Sequence, residues 1–558
     1  MLGDLDAAEN ALGLAVALDP GFADVRTNLG VIQWAKGHLD AAIEHYRASL
    51  DIAPGQAEVW DRIGVALNDC NRIEQAREAF TKSYELSPNP IRRLRKTLLL
   101  SHVYASKGDQ LAQRRCFEAG LDELIAAGGH VDASTAHLFC PAVFNLAYHG
   151  DDVLPTLRKV AAMYEALCPS LRFRAPHIDR RRPEGAPVRL GFFTAHVHDH
   201  PVAHCFADLV KALANDPNFQ VFLISYQDLP EGDVHKPYEN FSGQFVKIAK
   251  GHAAARQSMA ALELDVLAYQ DIGMDDVSYF LGYARLARVQ CVMGGHPVTT
   301  GLPEMDIYLS SALGEPEGAQ THYSERLLAM DPGTALYMRP VLPAVFKDRV
   351  ALGLPASGNL YICPMMLQKI HPDFDAAVSE ILALDPQGQV IFFSHPNAGW
   401  ELALQTRLAN ALDEAALRRL HFLPWIRNRD DFAAVNYHAA VVLDPFHFGI
   451  GSTAITTFAV GTPVVTWPAA FLRGRVGLVY ARLMELPECV AESQRDYPAL
   501  AVRIANDPVL RSSLSARILA HADRFFDSQE YLNSTRAFFH SLKDAPELNA
   551  AVRGLEIA

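Results

Sequence analysis

At 558 residues with a formal net charge of -14, the chain is too long for one hydrophobic core, and it is too acidic for a general nucleic-acid or membrane-surface binder, which needs a basic face. Its eight cysteines are scattered without a C-x-x-C pair, which excludes an evident zinc or disulfide framework and suits reduced thiols. The first stretch, MLGDLDAAEN, is acidic where a secretion signal is basic, and no apolar run reaches membrane-spanning length, so a cytoplasmic location is expected.

Pro20, Pro54 and Pro88 stand one tetratricopeptide period apart, and the residues between them repeat with the same period. Trp60, Ile63, Gly64 and Leu67 occupy a first helix, and Ala76, Phe80 and Pro88 a second. Leu29, Gly30, Ala42, Tyr46 and Pro54 fall on the same positions one unit earlier. Glycine and alanine are small where two helices cross, the aromatic fills the gap between units, and proline stops the second helix. Ala8, Leu12, Ala15 and Pro20 match the second half of a unit, and Ala112 and Ala119 a degenerate one after Pro88. The array is expected over 1–131, with a helical cap and linker over 132–187 that has lost the period. Arg172, Arg174, Arg180, Arg181 and Arg182, interleaved with Pro176 and Pro183, read as a solvated connector.

At Val188 the pattern changes to a buried strand, a polar turn and an apolar-periodic helix, and the alternation continues with strands at 221–226, 266–273 and 289–297. A second series begins with 360–364 and 390–396. The expected fold is an α-solenoid followed by two doubly wound, Rossmann-like α/β lobes, 188–340 and 341–558, with ligands at the carboxyl ends of their strands.

The stretch VVLDPFHFGIGSTAITTFAVGTPVVTWP, 441–468, reads as strand, glycine turn, helix and strand. A helix start of this kind leaves N–H groups for an anion, and Ser452 and Thr453 add hydroxyls. A plain helix cap is the alternative. His196, His198, His200 and His204 follow the first α/β strand, where such folds put ligands. No H-E-x-x-H accompanies them, and Asp373 and Asp375 open a helix as dipole-complementing carboxylates do, so no metal site is expected. Lys369, just past 360–364, lies at the rim of the same cleft. Neither a P-loop nor a G-x-G-x-x-G fingerprint is present.

With the repeats, two α/β halves, and DHPVAH, GGHPVTTG, MMLQKI and GTPVVTWP in that order, the chain resembles the O-linked N-acetylglucosaminyltransferases. The resemblance implies a GT-B fold, a UDP-sugar as donor substrate with no cofactor, inversion at the anomeric carbon, and repeats that receive the acceptor protein or else pair with a second copy. Carried over by position, His200 matches an active-site histidine, with Pro201 beside it, and Lys369 the lysine on the diphosphate. Ser452 and Thr453, with Gly449 and Gly451 before them, match the phosphate turn, Gly295, His296 and Pro297 the turn beside the sugar, Ile426 the uracil contact, and Gln368 the position before the lysine. Met274, Asn428, Asp431, Phe448, Gly451 and Thr456 depart from the family pattern near the sugar, ribose and uracil. The donor sugar is therefore less defined than UDP, and two rival readings stand beside a transferase: an inactive UDP-binding repeat scaffold and a UDP-sugar epimerase.

Overall fold

The structure is a computed structural model that describes residues 5–132, 143–180, 185–230, 236–332, 335, 337–526 and 528–542. Cys140, Arg181, Arg182 and Pro183, with the part of the cap at 133–142, lie outside the described residues. The repeats form antiparallel helix pairs, Ala23–Ala35 with Leu39–Ile52 and Ala57–Asp69 with Ile73–Leu86. A Cβ on Gly30 would lie 2.4 Å from the Tyr46 ring, and one on Gly64 2.7 Å from the Phe80 ring. Each glycine therefore exists to admit the aromatic of its own unit, and Ala42 and Ala76 are fully buried beside them. The degenerate unit is a third pair whose first helix, Pro90–Thr97, is short and whose second, Lys107–Ala127, is long.

The second and third units are bolted to the second α/β lobe. The Asp69 carbonyl accepts from Trp400 Nε1 (2.8 Å) and from Asn397 Nδ2, and His102 stacks on Trp400 with ring centroids 4.3 Å apart. His395 covers the same indole at 4.0 Å. Arg407, buried and paired with Asp375, donates to the Tyr104 carbonyl at 3.0 Å, and Gln110 Oε1 meets His371 Nε2 at 2.9 Å. Solenoid and lobe thus share buried polar groups, and separating them would leave those groups unpaired.

The first lobe is a seven-stranded, all-parallel sheet in the order Gln244–Lys247, Phe219–Ser225, Val188–Phe193, Leu264–Tyr269, Ala287–Val292, Ile307–Ser311, Arg326–Met330. The second is five-stranded and parallel: Leu420–Leu423, Gln389–Phe393, Leu360–Ile362, Val441–Leu443, Val464–Val465. In both, chain order reverses beside the first strand, which creates a switch point where the loops diverge and a ligand crevice opens. Strands expected over 266–273 and 289–297 end earlier, at Tyr269 and Val292, and the residues beyond them become loops of the crevice. The final helix, Gln529–Ser541, crosses back to the first lobe, where Phe539 meets Phe192 edge-to-face and His540 Nε2 bonds Asp216 at 2.8 Å.

Burial at the solenoid junction makes its histidines neutral: His102 is lowered to about 4 and His149, bonded to Tyr104, to about 3, desolvation being the first cause in each. Folded pKa values below the unfolded 6.5 mean that unfolding takes up protons, so this stabilisation is complete above about pH 6.5 and lost as pH falls toward 4. Thermal melts should show the unfolding temperature dropping from pH 7 to pH 5, with a shallower drop in His102→Phe, which keeps a ring on Trp400 but cannot titrate.

Candidate active site

In the first lobe the strand Val188–Phe193 leads into the loop Thr194–His200. Asp271, fully buried at the end of the neighbouring strand, pins that loop by accepting from Thr194 Oγ1 and Ala195 N, both at 2.9 Å. Burial, and then Asp275 nearby, push the Asp271 carboxyl up to about 8. His196 lies above it, Nε2 3.8 Å from Asp271 Oδ2, and stacks face to face on His200 at 3.5 Å. His200 caps the helix Pro201–Ala214, its Nδ1 accepting from Val202 N at 3.3 Å. This bond fixes the neutral tautomer with the proton on Nε2. Desolvation, then the neighbouring histidines, lower His200 to about 3. His204 is turned away onto Asp199 (2.7 Å), so it and His200 do not form a ligand pair.

In the second lobe Asp444, at the end of Val441–Leu443, is the organiser. Its carboxylate accepts from Ile450 N (2.5 Å) and Thr466 Oγ1 (2.6 Å), curling the chain so that Phe448, Gly449 and Gly451 face the first lobe. A Cβ on Gly449 would meet Asp444 Oδ1 at 2.7 Å, which is why that turn requires glycine. Lys369 ends a single 3-10 turn, Leu367–Lys369, and its ammonium lies 4.7 Å over the Phe448 ring. Burial lowers the ammonium to about 8, opposed by Asp444, whose own carboxyl is raised by burial to about 6. The expected helix start is weaker than the sequence implied: the helix is the six-residue Ala454–Ala459, and the N–H groups of Ala454 and Ile455 bond the carbonyls of Gly451 and Ser452. The polar wall here is the Ser452–Thr453 turn rather than a long helix.

Between the lobes is a cavity of about 640 Å3. His200, Pro201, Gly295, His296, Pro297, Gln368, Lys369, Ile426, Phe448, Gly449, Gly451, Ser452 and Thr453 all line it, whereas His196, His198 and His204 do not. Met274 lines it too. Asn428, Asp431 and Thr456 are not among the lining residues. Asn428 instead caps the helix Arg429–His438, accepting from Asp430 N and Asp431 N, while Lys347 holds Asp431. Three of the lining residues that escaped sequence reading bring aromatic faces or charge. Phe144 and Tyr148, from the helical connector, reach in to stack on His296 (5.2 Å) and meet Phe448 (4.9 Å), and Arg473 enters from the 3-10 turn Leu472–Gly474. At the rim Arg429 of the second lobe grips Asp199 of the first, with Nη2 2.5 and 2.6 Å from its two oxygens.

His371, Asp373 and His447 form the cluster of metal-ligand types among the described residues, but they do not line the cavity. Their polar atoms are engaged: His447 Nε2 bonds Asp373 Oδ2 at 2.8 Å, and His371 Nδ1 accepts from Asp373 N at 3.1 Å while its Nε2 faces Gln110.

A solenoid of tetratricopeptide pairs followed by two facing doubly wound lobes, with an enclosed crevice at their switch points, defines a GT-B fold carrying an α-helical repeat array. Residues 341–535, in the second lobe, match the model of glycosyl transferase family 41, and residues 1–63 and 57–90 match tetratricopeptide repeats. Probable UDP-N-acetylglucosamine–peptide N-acetylglucosaminyltransferases named SPINDLY are similar to it. Those of Solanum lycopersicum and Petunia hybrida are each 24% identical over 267 residues, covering 46% of this chain and 28% of theirs. The Arabidopsis thaliana protein is 24% identical over 237 residues, covering 41% and 25%. The chain thus matches about a quarter of the length of these relatives. A mutant O-GlcNAc transferase from Thermobaculum terrenum shares the fold throughout, with a TM-score of 0.68 at 18% identity over 99% of this chain and 96% of that one.

The cavity walls differ in tolerance. A Cβ on Gly295 would lie 2.3 Å from the Gln270 backbone carbonyl, whereas one on Gly451 meets nothing within 4 Å. Gly295→Ala should therefore lower the unfolding temperature by several degrees, while Gly451→Ala should leave it unchanged in the same calorimetric comparison.

Proposed function

We propose that the protein is an inverting glycosyltransferase that moves a sugar, N-acetylglucosamine in our reading, from a UDP-sugar to serine and threonine hydroxyls of other proteins. The observation that carries this reading is the cavity itself, in which Lys369, the Ser452–Thr453 turn, the Gly295–Pro297 turn and His200 face one another across two lobes. The relatives' printed names, which describe peptide N-acetylglucosaminyltransferases, support the same donor and acceptor.

When the bond between sugar and diphosphate breaks, negative charge accumulates on the leaving UDP. Lys369, with no solvent shell to dissipate its field, is the cation placed to stabilise that charge, aided by the Ser452 and Thr453 hydroxyls. The attacking hydroxyl approaches from the side opposite the leaving group, which inverts the anomeric centre, and its proton passes to an oxygen of the departing UDP as the bond to the diphosphate breaks. His200 serves this step as a positioning donor. Its Nδ1 lone pair is already engaged by Val202 N, so Nε2–H is what it offers to the cleft, and with a pKa of about 3 it takes no proton at neutral pH. The repeats supply the acceptor's binding surface: the inner helices line a groove with Trp34, Arg62, Asn89 and Arg92.

Lys369→Met should reduce turnover by about 10² to 10³-fold, the loss typical of a preorganised oxyanion donor, while uridine binds wild type and variant alike. In wild type, kcat/KM should fall as pH rises through about 8, where free Lys369 loses its proton, and Lys369→Arg should abolish that limb. His200→Ala should lower turnover without changing the shape of the pH profile; loss of an acidic limb in that variant would restore His200 as the base. Transfer to a protein acceptor, measured beside donor hydrolysis without acceptor, separates this reading from an inactive scaffold and from an epimerase.

A further inference from the structure

Arg473 is a charged cavity residue that neither the sequence motifs nor the proposed mechanism uses. It is 4% exposed, yet it lines the cavity. Its Nη2 donates to the Asp151 carbonyl at 2.6 Å and its guanidinium lies 4.4 Å over the Phe471 ring, but its Nε is buried without a hydrogen-bond partner. No carboxylate forms an ion pair with it among the described residues. A buried guanidinium with one backbone partner is a costly arrangement, because a charge removed from water needs an opposite charge or several acceptors. Burial lowers its affinity for its proton, to about 10, which still leaves it cationic at neutral pH.

The backbone anchors the residue at the cavity wall. The Arg473 carbonyl accepts from Gly449 N at 2.8 Å, so the arginine is tied to the turn that carries Gly449 and Phe448, over whose ring the Lys369 ammonium lies. Arg473, Lys369 and His296 line the same cavity, so the two cations share one site with the Gly295–Pro297 turn. Phe144 and Tyr148 close that site with aromatic faces, which lowers the local dielectric and strengthens any charge-assisted bond made there.

We propose that Arg473 is the second cation of the donor site and that its guanidinium binds an oxyanion of the donor, either a phosphate oxygen of the diphosphate or a carboxylate on the transferred sugar. This rests on the UDP-sugar reading above. It differs from that reading in assigning to a residue outside the family motifs a direct contact with the donor's charge.

Calorimetric titration of the full chain with uridine, pyrophosphate, UDP, UDP-N-acetylglucosamine and UDP-glucuronate tests it in wild type, Arg473→Met and Arg473→Lys. If the oxyanion is a phosphate, Arg473→Met weakens pyrophosphate, UDP and both UDP-sugars by about 10- to 100-fold, leaves uridine unchanged, and Arg473→Lys recovers most of the loss. If it is a sugar carboxylate, the loss falls on UDP-glucuronate alone. Equal weakening of uridine and UDP, or undiminished affinity for every anionic probe in Arg473→Met, overturns the proposal and leaves Arg473 as a tie to the Asp151 carbonyl. Should Arg473→Met fail to fold, Arg473→Lys and Arg473→Gln are compared, and equal affinity of these two for all the anionic probes counts against the proposal. Failure of wild type to bind UDP or UDP-sugars while it binds pyrophosphate would defeat the proposed function but not this inference, which pyrophosphate then decides; failure to bind any anionic probe overturns both.

Discussion

The site depends on one buried carboxylate. Asp444 sits at the end of a central strand of the second lobe with no water to solvate it, and the protein compensates by giving it Ile450 N, Thr466 Oγ1 and the field of Lys369. Those partners determine the path of the chain from Phe446 to Thr453. Without the bond to Ile450 N the glycine turn would have no fixed curvature, and Phe448 would not lie under the Lys369 ammonium. The first lobe repeats the device with Asp271, which pins Thr194 and Ala195 and so sets the loop bearing His196 and His200. In each lobe an acid below the crevice floor holds a loop whose side chains face the cavity. The acids are structural in contact and electrostatic in effect.

The helical connector is part of the same site. Phe144 and Tyr148 complete a wall that neither lobe supplies, and Gly150, where a Cβ would strike the His447 ring at 2.5 Å, lets the connector pass close to the Phe446–Gly449 turn. The junction of the third repeat unit with Trp400, Arg407 and His371 then fixes the connector's position. Repeats and crevice are consequently coupled through short, buried, polar contacts rather than through a flexible tether. Arg407, which reaches the Tyr104 carbonyl of the array, also donates to the carbonyl of Ile370, the residue after Lys369.

What was legible in the sequence is what is local. Gly30 and Gly64 face aromatics in their own units, and Lys369, Phe448 to Thr453, and His200 follow strand ends by a few residues, so period and motif suffice to place them. Strands with mixed exposure were not legible: Gln244–Lys247 is an edge strand with no fully buried residue, and Leu420–Leu423, at the edge of the second sheet, has one. Their short, partly polar runs carry no clear alternation. Phe144, Tyr148 and Arg473 were missed for a different reason. Each reaches the cavity only through docking between segments distant in sequence, and nothing in a helix of the connector or in LRGRV signals a cavity. Asn428 and Asp431 illustrate the converse, since departures from a family pattern that look like lost ligand contacts turn out to be a helix cap and an ion-pair partner.

The rim adds a constraint on how a ligand enters. Arg429 begins the helix that Asn428 caps, and Asp199 immediately precedes His200, so the Arg429–Asp199 pair joins the first turn of one lobe's helix to the loop that orients the other lobe's histidine. Both partners are substantially exposed, which keeps the pair weak and screened by salt. Asp199 also accepts from His204, so the pair does not leave a naked carboxylate when it opens. The shape of the loop is set by Asp271 from below and by the helix cap at His200, and so does not rest on the exposed pair at its outer edge.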